Sequence, residues 1–284
     1  MGILLLLANV FLQQGETMIV RRYGRKYRGG MLFNSIICLF AVVFFLLTDK
    51  GGLCFPKEIF WYGAVSCIMF ATGFYSMHLA MQWGSYVASK MIASFSGVIS
   101  IIYGIFFLKE PADLLTYIAI ALIFLSIVLM NGKKDENGEK GFSVKWLIAV
   151  LITAVSNGFI AVISRMQQIH FSQAYDNEFM VLSFGGSFVL LAILALICQR
   201  DSLREIAKYG TAYGALAGMF NGAKNLATLV LYLYIPISVA TPLRTGADMV
   251  LSFMVSVILY REKFTKRQLA SVIVGMVALV LFNL

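Results

Sequence analysis

Five ionisable residues stand inside stretches that are otherwise apolar: Glu16, Lys90, Lys224, Arg244 and Asp248. A charge at the centre of an apolar span costs at least ~2.5 kcal/mol, so each should face protein or a water-filled cavity and not lipid. Arg244 and Asp248 are four residues apart and share a helical face. That spacing suits an ion pair, either structural or broken by a substrate or proton during turnover. Lys90 and Arg244 fall about six to eight residues into their apolar runs, roughly 9 to 12 Å deep at 1.5 Å per residue. Lys90 either snorkels to the near interface or brackets a site with Arg244. Lys224 lies too near the middle of its run to reach an interface and is the strongest single candidate. Three cations against two carboxylates leave one surplus positive charge. Such a site suits a ligand carrying a carboxylate or phosphate, anionic or zwitterionic.

Polar residues at helical spacing accompany these charges. Asn221, Lys224, Asn225 and Thr228 form one stripe, Asn9, Gln13 and Glu16 a second, Thr72, Tyr75 and Ser76 a third, and Thr153, Ser156 and Asn157 a fourth. Small polar residues also hold membrane helices together, but four stripes, placed symmetrically in the chain, favour a polar cavity. The substrate-binding candidates are therefore Lys90, Lys224, Arg244, Asp248, Asn221, Asn225, Tyr75 and Asn157, with Glu16 and Asp248 as coupling groups or charge partners. The deep rings of Tyr75 and Tyr103 could also stack on a ligand cation. That leaves an alternative open, a site for a cation, drug or quaternary amine with Glu16 or Asp248 as counter-charge.

Catalytic groupings are missing from the pattern. His78 and His170 are 92 residues apart, no Ser-His-Asp or metal-ligand spacing occurs, and GMFNGAK at 218–224 has Ala223 where a phosphate loop needs Gly. No enzyme activity, metal or cofactor is expected, and any transport is not ATP-driven. Cys38, Cys54, Cys67 and Cys198 have no paired spacing and read as packing or loop thiols.

The elements that must position these residues are set by composition. With 60% hydrophobic and 13% charged residues and a mean hydropathy of +0.84, the chain cannot be a water-soluble domain, which would carry about 25% charged residues. Its solvent is the lipid bilayer, and runs of roughly 20 apolar residues, enough for a spanning helix, cover most of it. The net charge of +9 lies in short loops and carries no implication of nucleic-acid binding. The N-terminal run lacks the basic start and small-residue cleavage site of a signal peptide, so it reads as a first spanning helix.

The chain also repeats itself. Shifted by 152 positions, residues 86–110 lie without gaps over 238–262: Val87 falls on Val239, Ala88 on Ala240, Val98 on Val250 and Ser100 on Ser252. Each copy ends in a basic residue and Glu, Lys109-Glu110 and Arg261-Glu262, followed by a last apolar run. Tyr62-Gly63-Ala64 recurs 151 residues on as Tyr213-Gly214-Ala215, and Gln14-Gly15 and Arg22 recur 143 residues on as Asn157-Gly158 and Arg165. We read two halves, 1–138 and 139–284, joined by the polar linker at 132–145. Helices are expected at about 2–20, 31–48, 58–82, 85–108 and 113–131, and again at 146–168, 178–198, 209–233, 237–260 and 266–284. The fold class is thus all-α integral membrane, ten transmembrane helices as two five-helix repeats. Five passes being odd, the second copy enters from the opposite face, so the repeats are inverted. The loops after odd-numbered helices hold 16 Lys and Arg against Lys50, Lys57, Lys109 and Arg165 on the other side, which places both termini outside. Trp61, Tyr62, Trp83, Trp146, Tyr209 and Tyr213, near helix ends, read as an interfacial belt.

Ten short-looped helices in a duplicated arrangement, the two basic-Glu pairs and the uncharged last helix of each half resemble the drug/metabolite transporter superfamily in its ten-helix EamA-type form. The resemblance spans essentially the whole chain and implies a secondary carrier of metabolites or drugs, its cavity walled by helices 1, 3, 4, 6, 8 and 9. It implies a multi-pass protein of a bacterial cell membrane, monomer or homodimer, whose partners are a small-molecule substrate and the bilayer. Two departures stand out. The four-helix multidrug relatives place a coupling Glu near the middle of helix 1, where this chain has Asn9, with Glu16 further on. Members of the family also keep both termini cytoplasmic, the reverse of the charge count.

Overall fold

The computed structural model describes residues 2–27, 30–49, 51–84, 89, 92–93, 96–110, 113–130, 143–172, 174–258 and 266–281. Among the described residues the chain is all-helical. The first half contributes α1 (Gly2–Lys26), α2 (Met31–Thr48), α3 (Ile59–Trp83), α4 (Ser96–Phe106) and α5 (Leu114–Met130). The second contributes α6 (Val144–His170), α7 (Asp176–Cys198), α8 (Leu203–Tyr234), α9 (Ile237–Ile258) and α10 (Lys266–Leu281). Five of these, α1, α2, α3, α6 and α7, are both long and apolar enough to cross a membrane. The half-buried Lys224, Arg244 and Asp248 lie on α8 and α9, where each charge lowers the local hydropathy.

Packing runs mostly between the halves, and it is symmetric. Exchanging the halves carries α1–α8 onto α6–α3, α2–α8 onto α7–α3 and α1–α9 onto α6–α4, while α2–α7, α4–α9 and α5–α10 map onto themselves; all of these pairs touch. Direction follows from individual contacts. Met31 N donates to Gln199 Oε1 at 2.8 Å, Ser35 Oγ to Phe188 O at 3.0 Å, and Phe45 stacks on Phe184 at 6.2 Å. Rising numbers in α2 meet falling numbers in α7, so the equivalent helices are antiparallel and the two-fold axis inverts one repeat relative to the other.

Close approach depends on small residues, since lipid gives helices no hydrophobic reason to associate. Gly210, Gly214, Gly218 and Gly222 recur every four residues on α8 and receive α2. A Cβ at Gly218 would lie 2.5 Å from Ile37 O and 3.2 Å from Ala41 N, and one at Gly222 2.7 Å from the Phe44 ring. α5 and α10 join by Ser126 Oγ donating to Ser271 O at 2.8 Å and Ser271 Oγ to Ser126 O at 2.5 Å. Outward, Leu47, Trp61 and Leu114 are 72%, 73% and 74% exposed, the surface lipid would cover.

Two expectations about helix ends are corrected. α1 runs on to Lys26 and α8 starts at Leu203, so Arg21, Arg22, Arg204 and Lys208 sit on helices and not in loops. The extensions are held by aromatic packing: Tyr23 is 1% exposed and stacks on Phe33 at 4.1 Å, and Tyr27 stacks on Tyr209 at 4.9 Å. Trp146 is no belt residue either. It is 5% exposed, and its Nε1 donates to Ser89 Oγ at 2.8 Å, which satisfies a polar atom that lipid would leave bare. The basic-Glu pair of the first repeat has a structural use. Lys109 takes φ 53°, the chain turns back, and the Glu110 carboxylate accepts from Ile237 N at 3.2 Å and Ser238 N at 3.0 Å. A carboxylate on these otherwise unpaired amides fastens the N-terminus of α9. Arg261 and Glu262 lie outside the described residues.

Candidate functional site

Glu16 projects from the middle of α1 onto α8, where the four-residue stripe presents its polar face. Its carboxylate pairs with Lys224 Nζ and accepts from Asn221 Nδ2 at 2.8 Å. Glu16 is 6% exposed and Asn221 2%. Asn225 Nδ2 is turned back onto Asn221, donating to its O at 2.8 Å and its Oδ1 at 3.0 Å. One turn along, Asn9 Nδ2 donates to Lys224 O and Thr228 Oγ1, both at 2.7 Å, so the start of the α1 stripe ties α1 to α8 and lines nothing. An ion pair this deep, with its remaining lone pairs satisfied, fixes how two helices sit against each other.

Beside the pair opens a cavity of about 220 Å³. Its lining draws on α1 (Gln13, Glu16), α3 (Phe70, Gly73, Phe74, Met77), Ala93, α4 (Ser96), α6 (Thr153, Asn157, Ser164 among others), α8 (Asn221, Lys224, Asn225, Thr228, Leu229, Tyr232) and α9 (Arg244, Thr245, Asp248). Of the candidates named from sequence, Lys224, Arg244, Asp248, Asn221, Asn225, Asn157 and Glu16 all meet here. Lys90 lies outside the described residues.

Three expectations are corrected. Arg244 and Asp248 form no ion pair among the described residues. Asp248 is engaged across the helix boundary by Gln14 Nε2, which donates to its Oδ1 at 2.5 Å and to Ser252 Oγ at 2.6 Å. Arg244 faces the cavity, its Nε buried without a hydrogen-bond partner among the described residues. Tyr75 is half-buried and does not line the cavity. The face of α3 turned inward carries Phe70, Gly73, Phe74 and Met77, and Tyr75, one residue past Phe74, points about 100° away. The polar stripe Thr72, Tyr75 and Ser76 therefore marks a different face. Tyr103 stacks on Phe107 at 5.6 Å and is not in the lining.

Reasoning from sequence missed Gln14 and Arg165. Gln14 is 4% exposed and orients Asp248. Arg165 reaches from α6 to donate to Tyr232 O at 3.0 Å near the cavity's edge. Both stood in the repeat alignment, Gln14 against Asn157 and Arg22 against Arg165, where only their correspondence was used.

A duplicated, inverted helical bundle that hides charges and a polar cavity between its halves defines a membrane transporter. The sequence comparison carries this to a family: the profile of the EamA-like transporter family matches residues 1–132 and again 144–284, and the chain belongs to that family. It is a multi-pass membrane transporter of the drug/metabolite type, and such transporters are not enzymes. No curated protein matches the chain. A crystal structure of another protein superposes with a TM-score of 0.71 over 99% of this chain and 98% of its own, at 12% identity, a likeness of fold alone.

Proposed function

We propose that the protein is a secondary active, alternating-access carrier with ten membrane spans in two halves, 1–138 and 139–284, and that it moves a small anionic or zwitterionic metabolite such as an amino acid or organic acid. The observation that carries this reading is the state of the two described cations at the cavity. Lys224 is already neutralised by Glu16, whereas Arg244 faces the same space with a buried Nε that has no hydrogen-bond partner among the described residues. A guanidinium so placed accepts a carboxylate or phosphate in a fork of parallel hydrogen bonds. Asn157, Asn225 and Thr228 supply neutral polar contacts, and Phe70, Phe74 and Met77 opposite them suit an apolar body, so the favoured ligand has a charged head and a greasy flank.

The alternative, a cation or drug carrier, needs a carboxylate available to the ligand. Glu16 is held by Lys224 and Asn221, and Asp248 by Gln14. Reconstitution in proteoliposomes decides between the readings. Saturable uptake of a labelled amino or organic acid, accelerated by unlabelled substrate on the far side and abolished in Arg244→Gln, is expected. Uptake without trans-acceleration would indicate a channel, and uptake of quaternary amines that survives Arg244→Gln would indicate the cation carrier.

A further inference from the structure

Beside the cavity-lining Leu229, on the face opposite the Arg21–Lys26 end of α1, the last turn of α6 meets the first turn of α7. Gln167 and Gln168 are 0% and 1% exposed there. Gln168 Nε2 donates to Asp176 Oδ2 at 3.1 Å and to Leu229 O at 3.0 Å, and Gln167 Nε2 donates to Ala174 O at 2.8 Å. These bonds fix how each amide faces, since turning either over would set its oxygen against other acceptors. What is left over is all of one kind. Gln167 Oε1, Gln168 Oε1 and Asp176 Oδ1 are each buried with no donor.

Burying three oxygens without donors is costly, so something positive or donating belongs among them. Asp176 forms no ion pair among the described residues, and Glu178 in the same turn is 7% exposed, with its Oε1 taken by Cys54 N at 2.9 Å. Glu178 makes the field at Asp176 negative and the carbonyl end of α6 adds to it, while the amide end of α7 and the Arg165 guanidinium, one turn back on α6, offset part. Oxygen-only coordination with a single carboxylate, whose Oδ2 is already held by Gln168, matches a hard cation of low charge. Calcium recruits more carboxylates, and magnesium demands a near-ideal octahedron. The rings of Tyr62, His170, Phe171 and Tyr175 pack together around this corner, with neighbouring centroids 4.7 to 6.0 Å apart. At the repeat-equivalent positions, 143 residues earlier, stand Gly24 and Arg25, so the arrangement belongs to the second half alone.

We propose that Gln167, Gln168 and Asp176 form a sodium site that ties the end of α6 to α7 and α8. The test is thermal unfolding of the whole purified protein in detergent, at fixed pH and ionic strength, with sodium chloride replacing choline chloride. The midpoint should rise saturably by a few degrees in sodium, and the rise should vanish in Gln167→Leu and in Asp176→Asn. Equal midpoints in the two salts would overturn the site, as would a response retained in both variants. A midpoint that follows pH and ignores sodium would put a proton on Asp176 in place of the metal, which also overturns the assignment. Should either variant fail to fold, binding of radiolabelled sodium to the wild-type protein decides, and no saturable binding sinks the idea. None of these readouts uses transport, so the result stands apart from the carrier reading.

Discussion

The two walls of the cavity occupy equivalent places in the repeat and carry opposite chemistry. On α8 the polar part of the lining, beside Leu229 and Tyr232, is Asn221, Lys224, Asn225 and Thr228; the positions 151 residues earlier, on α3, are Phe70, Gly73, Phe74 and Met77, and these line the cavity too. Between α9 and its counterpart, 152 residues apart, Thr245 and Asp248 stand where Ala93 and Ser96 stand. Backbone symmetry has been kept and side-chain symmetry discarded. An inverted repeat needs its two halves alike only where they pack and pivot. The binding surface is free to become one-sided, and here the second half, with Glu16 of the first, holds all the charge found at the cavity among the described residues.

The most severe break in this arrangement should come from Lys224→Met, which strips Glu16 of its counter-ion. Removing one partner of a buried pair costs about 3 to 5 kcal/mol, so thermal unfolding in detergent should drop sharply and uptake should cease. The double variant Glu16→Gln with Lys224→Met should recover most of the stability; if it recovers none, the pair is not what holds α1 to α8. Weakening the apolar wall is next. Phe74→Asn, which copies Asn225 onto α3, should raise the apparent KM for a substrate with an apolar flank by 10-fold or more, from about 1 to 3 kcal/mol of lost contact. An unchanged KM would mean that the substrate touches only the charged wall.

Packing between equivalent interfaces gives a comparable but separate effect. Gly218→Ala pushes a methyl into the α2 backbone and should cost about 1 to 3 kcal/mol, read as a lower unfolding midpoint. Gly24→Ala, with nothing within 4 Å, should be close to neutral. Smallest is Glu110→Gln, which leaves an acceptor but removes the charge at the α9 N-terminus. A loss of about 1 kcal/mol is expected in the same unfolding measurement, within the usual range for helix caps.

How much of this was legible from the residues depended on what kind of neighbour each one has. The α8 stripe could be read because its spacing is a property of one helix. That Glu16 pairs with Lys224 could not, because that partner choice is made across helices, between residues 208 apart in sequence. The four-residue spacing of Arg244 and Asp248 permits a local pair, but Gln14 at 2.5 Å outcompetes it for the carboxylate. The α3 stripe misled for a related reason: a polar face shows that a helix avoids lipid there, without saying which protein surface receives it. The glycines of α8 were visible at every fourth position, yet only the approach of Ile37 O, 2.5 Å from where a Cβ would stand, shows why Gly218 cannot carry a side chain.

The serines that lock α5 to α10 have a mechanical meaning. The two-fold axis runs between these helices, and neither of them contributes to the cavity lining. In any machine whose halves tilt in turn, the contacts that persist through both tilts travel least, and reciprocal bonds from each serine to the other helix's backbone suit this seam to be that fulcrum. A covalent staple through Ser126→Cys and Ser271→Cys should then leave the stroke free, whereas one placed across the mouth of the cavity should jam it.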